Sequence, residues 1–113
     1  MSDRDALYLG HILAAVDDIN EFVDQNRDAF MVDKKTQSAV IRQLEIIGEA
    51  VKQLSPELTA REAAVPWRQI AGTRDRLIHG YFRVDLDAVW SMIEQDLPAL
   101  RAEVLRMLAQ PAT

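Results

Sequence analysis

Between Arg74 and Tyr81 the chain places a guanidinium, an imidazole and a phenol within one short run, Arg74-Asp75-Arg76-Leu77-Ile78-His79-Gly80-Tyr81. An arginine presents a planar fork of donors that fits phosphate oxygens, and it keeps its charge at any cellular pH. A histidine with an ordinary pKa near 6.5 can take a proton or give one. Such a pair could hold a phosphodiester and move the protons that its cleavage requires. On a continuous α-helix, Arg74 and Tyr81 would differ by only about 20°, whereas His79 would lie about 140° from Arg74. Helix geometry alone therefore does not put the three on one face. A reaching arginine, a distortion at Gly80 or a second subunit would each close the gap.

The charge distribution singles out the same segment. The net charge is −5. Eight acids and two arginines give −6 over residues 1–33, and five bases against four acids give +1 over residues 34–65. Residues 66–83 carry Arg68, Arg74, Arg76 and Arg83 against Asp75, for +3, and residues 84–113 return to −3. An acidic protein with one basic segment does not coat nucleic acid indiscriminately, but it can hold a phosphate at one place. Arg76 and Arg83 could guide such a ligand or simply be surface charges.

Composition excludes several other chemistries. With no cysteine there is no disulfide framework, thiolate metal site or cysteine nucleophile. Two histidines and four glycines leave little for a His-rich zinc site or a glycine-rich phosphate loop. No metal site and no cofactor is expected. The uncharged run Ala6–Val16 is far shorter than the roughly 20 residues that span a bilayer, and it follows an acidic start. A soluble cytoplasmic protein without membrane contact is the expectation. A length of 113 residues suits one domain, 1–113.

The elements that must position the motif read as helices. Ser2 is a candidate N-cap for a first helix running to about Asn26, with Tyr8, Ile12, Val16, Ile19 and Val23 as its apolar stripe. Asp33 caps a second, carrying Ile41, Leu44, Ile47, Val51 and Leu54, in which Gly48 would let another helix approach closely. Ser55-Pro56 supplies a stop and a new start, and a connector with room for one short helix leads to Val65. Pro66–Phe82 reads as a helix split at Gly72, with Thr73 able to cap its second half. Asp85 or Asp87 starts the last helix, in which Pro98 predicts a kink. No strand pattern appears. The fold class expected is all-α, an antiparallel up-and-down helical bundle of four to five helices.

Taken together, these features resemble the HEPN superfamily, in particular its HepT-type toxins. Arg74-x4-His79 matches the superfamily's Arg/His signature, and the added x-Tyr81 matches the HepT type. Ile47-Gly48-Glu49-Ala50, Pro66-Trp67-Arg68-Gln69-Ile70, Val89-Trp90 and Asp96-Leu97-Pro98-Ala99-Leu100 are similar to the family's second helix, motif lead-in and closing helix, in the same order. The resemblance spans nearly the whole chain.

The resemblance implies a HEPN-like homodimer acting as a metal-independent endoribonuclease, the toxin of a type VII-like toxin–antitoxin pair. Its two motifs would face each other across a cleft. His79 would be the general acid/base and Arg74 the stabiliser of phosphorane charge, cutting an RNA such as tRNA or mRNA and leaving a 2′,3′-cyclic phosphate. Tyr81 would be the site where a minimal nucleotidyltransferase antitoxin attaches an adenylate; it could equally be a core tyrosine beside Trp67 and Phe82. Asp75 would support the site or be a surface acid paired with Arg68 or Arg76. Glu49, Trp67 and Trp90 read as structural, and His11 as packing or surface. The competing function is a non-catalytic nucleotide- or substrate-binding subunit of a nucleotidyltransferase complex.

Overall fold

The capping residues define the elements. In a computed structural model, which describes residues 1–79 and 83–110 (Arg74, Arg76, Ile78, His79 and Arg83 by their backbone), α1 spans Asp3–Val23. Ser2 Oγ accepts the Asp5 N–H at 3.0 Å, the cap its type predicts. The helix stops three residues earlier than expected. Asp24 and Gln25 take the left-handed region (φ 47° and 55°), and Asn26 becomes the N-cap of a short α2, Arg27–Val32. α3, Lys34–Lys52, begins at Asp33, whose carboxylate accepts the Lys35 and Thr36 N–H groups and the Thr36 hydroxyl. The Thr36 contacts hold the Asp33 carboxyl below its ordinary pKa. α4, Pro56–Arg61, has Ser55 as cap and Pro56 in its first turn.

The second half of the chain departs more from expectation. The predicted helix Pro66–Phe82 is three pieces: α5 at Trp67–Ala71, α6 at Thr73–Leu77, and a two-residue strand β1, Ile78–His79. β1 pairs antiparallel with β2, Arg83–Val84, in the register Ile78↔Val84 and His79↔Arg83. The helix ends because Asp85 N–H takes the Leu77 carbonyl at 2.8 Å, so the returning chain occupies an acceptor that a continuing helix would use. α7, Leu86–Ser91, is capped by Asp85, a π-helical turn follows at Met92–Asp96, and α8 covers Leu97–Leu108. Pro98 has no N–H and crowds the carbonyl four residues back. The rod answers by widening its turn, with Leu97 N–H reaching the Met92 carbonyl five residues earlier, where a kink was expected. The all-helical character holds apart from the two-residue pairing. The described residues form eight α-helical segments and a π-turn rather than four to five helices.

α1 and α3 make the main pairing, and α8 lies against α1 as well. The core gathers Leu9, Ile12, Val16 and Ile19 from α1, Val40, Leu44 and Ile47 from α3, and Val89, Trp90, Ile93, Leu97 and Val104 from the last rod. α2 earns its place through Phe30, which is fully buried and meets the Trp90 ring at 5.4 Å between centroids. No described helix is long and apolar enough to cross a membrane.

One acid of the first turn of α1 is buried. Asp5 is 2% exposed and accepts both the Ser55 N–H (2.8 Å) and the Ser55 hydroxyl (2.6 Å). It clasps the start of α1 to the start of α4. Burial pushes its carboxyl up, but the Ser55 and Ser2 hydrogen bonds outweigh this and hold it below the ordinary value. Its contribution is complete above the unfolded pKa of about 3.9 and lost as pH falls through the lower folded value. Asp5→Asn should therefore cost about 1–3 kcal/mol at pH 7 in urea unfolding. The gap from wild type should shrink below about pH 3.5.

Candidate functional site

The motif segment hangs from α3 at one close contact. A Cβ on Gly48 would come within 3.2 Å of the Ala71 carbonyl oxygen and 3.4 Å of that of Ile70. Glycine at this position lets the backbone of α5 rest on α3, the close approach its presence suggested. Trp67 pins the upstream end, being buried with its indole N–H on the Glu62 carbonyl at 3.1 Å. Downstream, Leu77 enters the core. The α5–α6 segment is thus fixed at both ends and pressed to α3 in between.

Gly72 breaks the helix as expected, but Thr73 acts differently from the cap assigned to it. Thr73 is buried, and its hydroxyl donates back to the Ile70 carbonyl at 2.7 Å, stitching the end of α5 to the start of α6. Arg74 is then the second residue of α6 and Asp75 the third. Asp75 is exposed and, among the described residues, makes no ion pair with Arg68, which is also exposed. His79 is not on that helix. It sits on β1, opposite Arg83, after the chain has turned from helical to extended at Ile78. The 140° offset calculated for a continuous helix therefore does not apply, because the intervening backbone changes state. Tyr81 lies outside the described residues, between β1 and β2 in sequence.

Among the hollows beside this segment, two lie against α3. The larger, about 560 Å³, opens between α3, α5 and the π-turn and is lined by Leu44, Ile47, Ile70 and Leu100 with Gln69 and Gln95. The smaller, about 190 Å³, lies between α3 and the first turn of α6 and is lined by Glu45, Glu49, Lys52 and Asp75 beside Gly48 and Gly72. Glu49, read from sequence as structural, is an exposed wall of this hollow and pairs with Lys52 at 3.2 Å. Trp67 and Trp90 are core residues, as expected. His11 is exposed and sets its ring edge-on to Tyr8 at 5.4 Å. Among the described residues no three His, Asp or Glu side chains converge closely enough to hold a metal ion.

A sequence model of the family described as "Ribonuclease HepT-like" matches residues 12–107, a span that contains Gly48, Trp67, Arg74, Asp75, His79 and Tyr81. The chain belongs to the HepT-like ribonuclease family. Among its curated relatives, a Thermococcus cleftensis protein named a probable ribonuclease HepT is 43% identical over 85% of this chain and 88% of its own length. A candidate RNase from Caldanaerobacter subterraneus is 41% identical, covering 89% of this chain and 91% of that one. A Methanocaldococcus jannaschii protein, named for gamma-glutamylcyclotransferase and candidate RNase activities, is 41% identical over 92% of this chain. This chain spans only about half of it, 47%. No solved structure matches significantly.

The glycine seam gives this HepT-like chain a sharp mechanical test. Valine at position 48 would drive a branched side chain into two backbone carbonyls that cannot rotate away. Gly48→Val should cost about 2 kcal/mol or more in urea unfolding. Hydrogen exchange in the mutant should show the loss of protection concentrated at α5 and α6.

Proposed function

We propose that this HepT-like protein is a metal-independent endoribonuclease in which Arg74 and His79 carry the reaction. The observation that supports this most is the Arg74-x4-His79-x-Tyr81 run itself, on the most basic stretch of an acidic chain, at the point where α6 gives way to β1. The extended backbone at His79 takes that residue out of the helical phase that would have set it apart from Arg74.

The chemistry follows from the residue types. His79 as general base takes the proton of a ribose 2′-hydroxyl, and that oxygen attacks the adjacent phosphorus. The P–O5′ bond breaks, and a protonated imidazole supplies the proton to the leaving 5′-oxygen. Arg74 meets the charge that gathers on the non-bridging oxygens. The products are a 2′,3′-cyclic phosphate and a 5′-hydroxyl end. In a homodimer, the second copy's motif would provide the second imidazole, so each proton transfer has its own group. No metal-activated water enters this route. The single domain 1–113 would act in the cytoplasm as the toxin half of a toxin–antitoxin pair.

Tyr81 supplies the means of silencing in this reading. A minimal nucleotidyltransferase partner would join its phenolic oxygen to the α-phosphorus of ATP, releasing pyrophosphate. The tethered phosphate would then sit beside Arg74, where an RNA phosphate otherwise binds. The acidic residues 1–33 offer a surface for a basic partner.

Arg74→Ala and His79→Ala should each fold normally and cut RNA at least a hundredfold more slowly, a loss typical of removing one such group. Wild-type cleavage should persist in EDTA. Cleavage unaffected by either substitution would remove the assigned roles, and a folded, RNA-inert wild type would favour the non-catalytic subunit. Co-expression with the nucleotidyltransferase should add one adenylate mass, absent in Tyr81→Phe by intact-mass measurement.

A further inference from the structure

The 560 Å³ hollow leaves the motif segment supported mainly from one side. α5 rests on α3 at Gly48, but the hollow stands between α5 and α8, and these two helices scarcely touch. Among the described residues, one polar contact links α8 to residues 53–77. The Arg106 guanidinium donates to the Glu62 carboxylate at 2.5 Å. Arg106 lies one turn beyond Glu103, which lines the hollow, so the pair bridges the gap at its margin.

Glu62 is a junction. Its side chain is 11% exposed and takes the Arg106 N–H. Its carbonyl accepts two more donors, the Val65 N–H and the Trp67 indole N–H, each at 3.1 Å. The residue tied to α8 is therefore also the one from which Trp67, the upstream mooring of the motif segment, hangs. Arg61 approaches the other carboxylate oxygen only to 4.0 Å. Without the Arg106 guanidinium a mostly buried carboxylate would lose its close counter-charge, which is costly. It would turn outward to water, and the carbonyl beneath Trp67 would shift with it. Most surface ion pairs matter little. This one differs because its acid is covered and shares a backbone with the mooring.

We propose that Glu62 and Arg106 are positioning residues for the motif. They form a strut that holds Trp67, and through α5 and α6 the Arg74 backbone, at a fixed height over α8. Neither side chain touches RNA in this assignment. Its link to cleavage rests on the nuclease reading, whereas the strut itself can be measured without RNA.

Arg106→Ala should lower kcat about tenfold and change KM less than about twofold, because the groups that bind the phosphate stay while their placement slackens. Arg106→Lys, which can still donate to Glu62, should recover most of the loss. A cation that merely draws RNA in would give the opposite split, a raised KM with kcat kept, and that result would overturn the proposal. Arg101→Ala removes the α8 guanidinium that pairs with Asp17 of α1, and it should leave kcat near wild type. A fall there equal to that of Arg106→Ala would also overturn it. Hydrogen exchange supplies the arm free of RNA. In Arg106→Ala the Trp67 indole N–H and the α5 amides should exchange about tenfold faster, with α1 and α3 unchanged. Unaltered exchange at Trp67 defeats the strut whatever the nuclease assay shows. Faster exchange with wild-type kcat defeats the positioning role. A wild type that cuts no RNA removes the nuclease reading and this role with it, a result distinct from cleavage that survives in Arg106→Ala.

Discussion

The backbone of α5 lies directly on the backbone of α3 at Gly48, and the motif's position follows from that contact. The carbonyls of Ile70 and Ala71 come so near that no side chain fits between the two helices without displacing one of them. Trp67 and Leu77, buried on either side of the contact, prevent the segment from pivoting about it. The result is a short, rigid shelf from Trp67 to Leu77. From its edge the chain turns into β1 and carries His79 away from the helix.

Charge on α2 and α8 is balanced by partners from other parts of the chain. Arg27 pairs with Asp87 at 2.9 Å, Arg101 with Asp17 at 2.7 Å, and Arg106 with both Glu62 and Glu103. Each of these exposed pairs adds little stability. Their larger effect is to cancel positive charge on α2 and α8.

Much of the frame could be read from sequence, because it is written in local rules. Ser2, Asp33, Ser55 and Asp85 all cap the helices they were expected to cap, each through a side-chain oxygen that satisfies an otherwise unpaired N–H. Gly48 could be recognised because a glycine inside an amphipathic helix needs a reason. What sequence could not supply depends on partners remote along the chain. Asp5 looks like any first-turn acid until Ser55, fifty residues away, closes over it. α2 is too short for periodicity and is held by partners remote along the chain, Phe30 against Trp90 and Arg27 on Asp87. Leu77 ends α6 only because Asp85 returns to its carbonyl. Residue types and spacing, with the family resemblance, pointed to Arg74 and His79. That they stand on different elements is a tertiary fact, and the helical-wheel angle between them was misleading for that reason.

The π-turn at Met92–Asp96 divides the last rod into two levers with separate moorings. α7 is tied to α2 by Trp90 on Phe30 and by Asp87 on Arg27, whereas α8 is tied to α1 by Arg101 on Asp17. In sequence α7 is preceded by β2, which pairs with β1 at His79, so the motif's exit strand belongs to the α7 side of this joint. The proline just past the joint thus marks the boundary between a half moored to α2 and a half moored to α1.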